Sequence, residues 1–179
     1  MTPDDVLNFW FRKLKSEQWF KADPALDAEI NRRFGQLHET LSRSIAPSWR
    51  AGPRETLAAV IVLDQFSRNI FRGTPRAFAS DDAALALAQD AIARGFDREL
   101  SVVERQFLYM PFQHAEDAAV QARSVALFES LGSAYALKYA QAHRDIIVRF
   151  GRFPHRNAIL GRQSTPAEIA FLKEPGSSF

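Results

Sequence analysis

Leu26, Ile30, Phe34, Leu37, Leu41 and Ile45 recur at spacings of 4, 4, 3, 4 and 4 residues. That spacing lines all six along one face of an α-helix and fits neither face of a strand. An apolar stripe of that length has to bury itself, so the chain is committed to packing helices. Asp23 and Pro24 precede the stripe, a capping side chain followed by a residue whose missing N–H is not needed at a first helical position. The same punctuation recurs along the chain. Thr2, Pro3, Asp4 and Asp5 open a first helix whose apolar side is Val6, Leu7, Trp10, Phe11 and Leu14. Pro53 opens a third through Leu57, Val60, Ile61 and Phe66, closed by Gly73 and Pro75. Ser80, Asp81 and Asp82 cap a fourth that ends before Gly95, and S-V-V-E at Ser101 to Glu104 is a capping box for a fifth, which Pro111 should kink or end. A sixth spans about 116–132, and a seventh carries Tyr135, Tyr139, His143, Ile146, Ile147 and Phe150 up to Gly151. T-P-A-E at Thr165 to Glu168 caps a short last helix.

No stretch alternates with period two. The expectation is therefore an all-α fold of about seven to eight helices, in stacked antiparallel hairpins, forming one domain over residues 1–179. The helix from about Pro24 to Ile45 should be among the longest. No repeat of about 34 residues is legible in the residues themselves. The aromatic groups F-W-F (Phe9 to Phe11) and W-F (Trp19, Phe20) are expected in the core, and the tail K-E-P-G-S-S-F is expected to fray.

Composition narrows the chemistry. No apolar run approaches the roughly 20 residues of a membrane span, and the acidic N-terminal stretch lacks the basic region of a signal peptide. A cytoplasmic location without membrane contact is expected. Zero Cys excludes disulfides, thiolate metal sites and cysteine nucleophiles together. The four His, at 38, 114, 143 and 155, form no H-E-x-x-H pair, so no metal is expected, and no cofactor motif is present. A net charge of +2 disfavours nucleic acid as partner. Basic residues are nonetheless mostly Arg, whose planar fork suits carboxylate and phosphate; a general preference for Arg over Lys accounts for the same excess.

Three constellations stand out. In D-Q-F-S-R-N-I-F-R-G, Asp64, Arg68 and Arg72 share one helix face while Gln65 and Asn69 share the next; the bland reading is an ion pair with Arg72 on the last carbonyls. In E-R-Q-F-L-Y-M-P-F-Q-H-A-E-D, the break expected at Pro111 places His114, Glu116 and Asp117 at the mouth of the following helix, where acids also serve as caps. The stretch R-F-G-R-F-P-H-R-N-A-I-L-G-R-Q-S-T-P holds Arg149, Arg152, His155, Arg156, Asn157 and Arg162 without one acid. Buried guanidinium must be paired, and Asp64, Glu104, Glu116, Asp117 and Asp145 are the expected partners.

These motifs, with F-W-F at the N-terminus, resemble in order those of the family designated domain of unknown function 924, over nearly the whole chain. The resemblance implies an all-α, tetratricopeptide-like superhelical layer and no established activity. Ser67 stands where the family often has Pro, Gln113 where it often has Glu, and Ala115 where Ser is usual. A carboxylate at 113 and a hydroxyl nucleophile at 115 are thereby removed.

Three functional readings follow. The first is recognition of a small anion or acidic peptide end by Asp64, Gln65, Arg68, Asn69, Arg72, His114, Glu116, Arg152, His155, Arg156, Asn157 and Arg162. The second is a protein-interaction scaffold whose charges cancel internally. The third is an enzyme using His114 or His155 for proton transfer, with no nucleophile or base pair assigned.

Overall fold

The computed structural model describes residues 1–178, and Phe179 lies outside the described residues. Among these the fold is all-helical, with eight helices and no strand. Helix α1 is Pro3–Asn8, continued in π-helical form by Phe9–Lys13. Helix α2, Pro24–Arg43, is the longest single α-helical run. Helix α3 begins as Pro53–Val60, widens to a π-helix over Ile61–Phe66 and returns to α-geometry at Ser67–Ile70. Helices α4 (Asp81–Ala93), α5 (Val102–His114), α6 (Ala118–Glu129), α7 (Ala134–Phe150) and α8 (Pro166–Phe171) complete the chain.

The centre of the fold is α3. From Thr56 to Ser67 every residue is buried, so this helix is enclosed all round rather than on one stripe. Helices α1, α2, α4 and α5 pack against it, and α5, α6 and α7 then pack in sequence order. Phe9, Trp10, Phe34 and Phe66 meet here, with Phe34 and Phe66 ring centroids 4.8 Å apart and the Trp10 ring edge-on to Phe66 at 5.6 Å. A smaller cluster of Ile146, Ile147, Phe153 and Phe171 joins α7, the Arg-rich loop and α8.

The expected caps form at both capping boxes and at the N-terminus. Thr2 and Asp5, Ser101 and Glu104, and Thr165 and Glu168 each exchange hydrogen bonds reciprocally. Gly151 closes α7 in the left-handed conformation, φ 72°, which a residue without Cβ adopts freely. The Ser101 cap is exposed and isolated from the core. Ser101→Ala should cost about 1 kcal/mol in a denaturant melt, as a lost hydroxyl cap does.

Several local expectations change. Helix α5 runs on through Pro111 to His114, because Pro there forfeits one hydrogen bond within a turn of the helix end and the surrounding core holds the segment. His114 consequently ends α5 and does not begin α6, whose N-cap is Asp117. Ser80 makes no capping bond; its hydroxyl meets Ser42 at 3.2 Å. Phe9 and Trp10 are core and Phe11 and Trp19, half-buried, pack against it, but Phe20 is 58% exposed; Trp19 and Phe20 also form part of a cavity wall. The tail up to Ser178 folds back: Ser177 is buried, its hydroxyl on the Leu172 carbonyl, and Ser178 reaches the same cavity. The last residue of the tail motif, Phe179, is the one outside the described residues.

Candidate functional site

A cavity of about 560 Å³ lies between the π-helical part of α3, the end of α5, the start of α7 and the Arg-rich loop. The sequence brings polar groups to it by two devices. The π-turn widens α3 where Asp64 and Gln65 sit, a distortion frequent at functional sites. Helix α5, running on through Pro111, brings Gln113 and His114 at its buried end to the cavity wall.

Asp64 has no solvent exposure. Its Oδ1 accepts from His114 Nδ1 at 2.7 Å, and its Oδ2 accepts from the Gln65 amide at 2.5 Å. Arg68 lies 3.3 Å from the same carboxylate and makes a two-pronged pair with Asp81 at 2.8 and 3.0 Å. Burial works to raise the Asp64 carboxyl, but the His114 ring, the Arg68 guanidinium and both hydrogen bonds hold it below the usual carboxylate range. Asp64 is therefore an anion. Burial, then the positive charge of Arg68, lowers His114, so its ring is neutral at neutral pH. Burial also pushes His143 down to about 3, with His114 adding to it, and His155 down to about 4, with Arg156 adding to it.

Arg156 is 6% exposed. Its guanidinium lies between the Phe78 and Phe153 rings, 4.6 and 4.7 Å from their centroids, and Nη2 donates to the His114 carbonyl at 3.0 Å. Its one carboxylate contact among the described residues, Asp81 at 3.5 Å, is already held twice by Arg68. Among the described residues Nε of Arg156 has no partner, and neither has Oε1 of Gln113, which is also buried on the cavity wall. Burial, reinforced by Arg68, lowers Arg156 to about 10, which leaves it charged.

Of the residues singled out in the sequence, Gln65, Arg68, Asn69, Arg72, His114, His155 and Arg156 line the cavity, with Asp64 directly behind. Arg72 does not cap the helix carbonyls; it makes a two-pronged pair with Asp27 at 2.6 and 2.9 Å, which Asn69 also holds at 2.8 Å. Glu116, Arg152, Asn157 and Arg162 are not on the cavity wall. Arg162 grips Glu116 at 2.6 and 2.9 Å and Asn157 at 2.9 Å, while Glu116 accepts from the Phe153 backbone N–H. Arg152 grips Glu168 at 2.7 and 2.9 Å. These clamps shape the loop that presents Arg156.

The expected acids were only partly the right ones. Asp81 and Glu168, read in the sequence as capping residues, supply pairing, as does Asp27, for which the sequence raised no expectation, whereas Glu104 pairs with Arg54 and Asp145 with Arg144. Lys21, Gln113 and His143 also line the cavity without having been singled out as ligand-binding; Gln113 lies in the His114 motif, which was its signal. The charged side chains on the wall are Lys21, Arg68, Arg72 and Arg156, and among the described residues no carboxylate joins them. Despite three nearby imidazoles, no group of three or more His, Asp or Glu side chains among the described residues is placed to hold a metal ion.

Fold and site together define an all-helical protein with an internal cavity whose charged lining is cationic and whose counter-carboxylates lie behind it. The chain belongs to the family described as bacterial protein of unknown function (DUF924), which matches residues 6–176. It is similar to the solved structure of a protein of unknown function from Agrobacterium tumefaciens, at 43% identity and TM-score 0.91, over 96% of each chain. No curated protein matches the sequence.

Proposed function

We propose that the cavity binds a small molecule with a phosphate or carboxylate at one end and an apolar, ring-containing body. The supporting observation is the lining among the described residues: every charged side chain on it is cationic, and Arg156 keeps an Nε–H with no partner there in a buried setting. A guanidinium with spare donor capacity in a low-dielectric site recognises an oxyanion well. Trp19, Phe20, Phe78, Phe128, Tyr135 and Tyr139 supply the apolar wall for the body. The volume falls in the roughly 300–1,000 Å³ range of small-molecule sites, which favours such a ligand over the acidic end of a peptide. Four of the five arginines weighed, Arg68, Arg72, Arg152 and Arg162, are neutralised internally, as a scaffold reading expects. Arg156 is the exception that favours binding. This reading does not depend on a tetratricopeptide-like stacking of the hairpins. The absence of Cys suits a protein working in the reducing cytoplasm, and no helix among the described residues is long and apolar enough to cross a membrane.

Phenyl phosphate is a suitable probe. At about 100 times its Kd it should raise the unfolding free energy by about 2.7 kcal/mol. Arg156→Met, which keeps the apolar stem between the two rings, should abolish that gain and change the stability of the unliganded protein little, since Asp81 retains Arg68. Thermal unfolding with and without the probe reads both quantities. A probe that leaves wild type unmoved, or stabilises the variant equally, overturns the reading.

A further inference from the structure

We infer that the cavity is a proton-transfer centre, with Nε2 of His114 as the general base and Asp64 as the residue that positions it, acting on a bound anion that carries an acidic C–H or O–H. This rests on the binding reading above and deepens it. The geometry assigns the roles. An ionised carboxylate cannot donate, so the 2.7 Å bond between Asp64 Oδ1 and His114 Nδ1 has the imidazole as donor. The proton therefore sits on Nδ1, and the lone pair is on Nε2, which has no hydrogen-bond partner among the described residues and belongs to a ring on the cavity wall. Asp64 is itself fixed from its other oxygen by Gln65 and from the side by Arg68, so the ring is held against rotation. A buried carboxylate whose whole environment serves to orient one imidazole is more than helix packing requires.

The neighbouring atoms complete the chemistry. When Nε2 takes a proton, the bond to hydrogen breaks in the substrate, the electron pair stays on the substrate, and an imidazolium forms beside Asp64. The guanidinium of Arg156, anchored on the His114 carbonyl, is positioned to offset the negative charge left on the substrate. Gln113 Oε1, a buried acceptor on the same wall with no partner among the described residues, can hold a substrate hydroxyl or a water. The proton then returns from Nε2 to the product or to solvent, and no co-reactant is consumed. The groups facing His114 are Asp64 and Arg68 from α3, Asp81 from α4, His143 from α7 with its ring centroid 6.2 Å away, and His155 and Arg156 from the loop.

Nitrobenzisoxazole tests the inference with a probe of known chemistry: a base removes its ring C–H proton, the N–O bond breaks, and a coloured phenolate forms. Wild type should open it, and His114→Asn, which keeps a donor toward Asp64, should lower kcat/KM by roughly 100-fold or more. Asp64→Asn should lower it as well and change the pH profile, which for wild type rises with loss of one imidazole proton and then levels. Turnover that is absent in wild type, or equal in wild type and His114→Asn, overturns the inference. Where a variant fails to fold, nitrogen-15 NMR of wild type decides: a bare Nε2 and protonated Nδ1 on His114 are expected, and the opposite tautomer overturns it. Phenyl phosphate should inhibit turnover competitively. Binding of phenyl phosphate without His114-dependent turnover refutes the base and leaves the binding reading standing; His114-dependent turnover that phenyl phosphate does not inhibit refutes the binding reading alone.

Discussion

Replacing Arg68 by Met should lower the unfolding free energy by on the order of 3 kcal/mol, because the change strands a charge that has nowhere to go. Asp64 is wholly buried, and Arg68 is the cation beside it. Asp81 loses its two-pronged partner in the same step and among the described residues keeps only the 3.5 Å contact to Arg156. The figure sits at the lower end for breaking a buried pair, since the Arg68 side chain retains about a fifth of its exposure and part of its charge is solvated. Met preserves the stem, so lost packing contributes little. The double change Arg68→Met with Asp64→Asn should recover part of the loss by removing the stranded anion, and denaturant melts of the four proteins in that cycle measure the coupling directly. A single variant as stable as wild type would mean that Asp64 is not held ionised by Arg68.

Acid should weaken the protein in two stages, and the first begins unusually early. His114, His143 and His155 all have folded values below the ordinary 6.5. A histidine lowered in the folded state binds its proton more readily when unfolded. Its stabilising contribution is thus complete above the unfolded value and is lost as pH falls toward the folded one. For His143, lowered to about 3 and almost wholly buried, the loss between about pH 7 and pH 4 is on the order of 3 kcal/mol. The depressed carboxylates Asp27, Asp64, Glu116 and Glu168 act in the same direction in a lower window, their contribution present above about pH 4 and lost beneath it. His143→Asn keeps a donor for the Tyr139 carbonyl, which His143 Nδ1 meets at 2.8 Å, and should flatten the upper stage while leaving the lower. Stability that stays level between about pH 7 and pH 4.5 in wild type would contradict the burial of neutral histidines.

The helices were legible in the sequence because their causes are local. The stripe from Leu26 to Leu41, the Thr2–Asp5, Ser101–Glu104 and Thr165–Glu168 caps and Gly151 after α7 all act within a few residues, and each appears where its spacing placed it. Even the His114 and Arg156 motifs were visible as concentrations of polar groups among apolar ones. What became of those groups was decided elsewhere. Arg72 meets Asp27, Arg162 meets Glu116, and Asp64 meets His114, pairings 45, 46 and 50 residues apart along the chain. Asp27 and Asp81 were indistinguishable from ordinary first-turn acids until α3 came to lie beside them. Helical periodicity and capping are properties of neighbours in sequence, so sequence alone determined that this chain is all-α and roughly where its helices begin. Which arginine is cancelled and which is left facing a cavity depends on desolvation and on distances of a few ångströms between distant segments, and only the packed tertiary structure decides those.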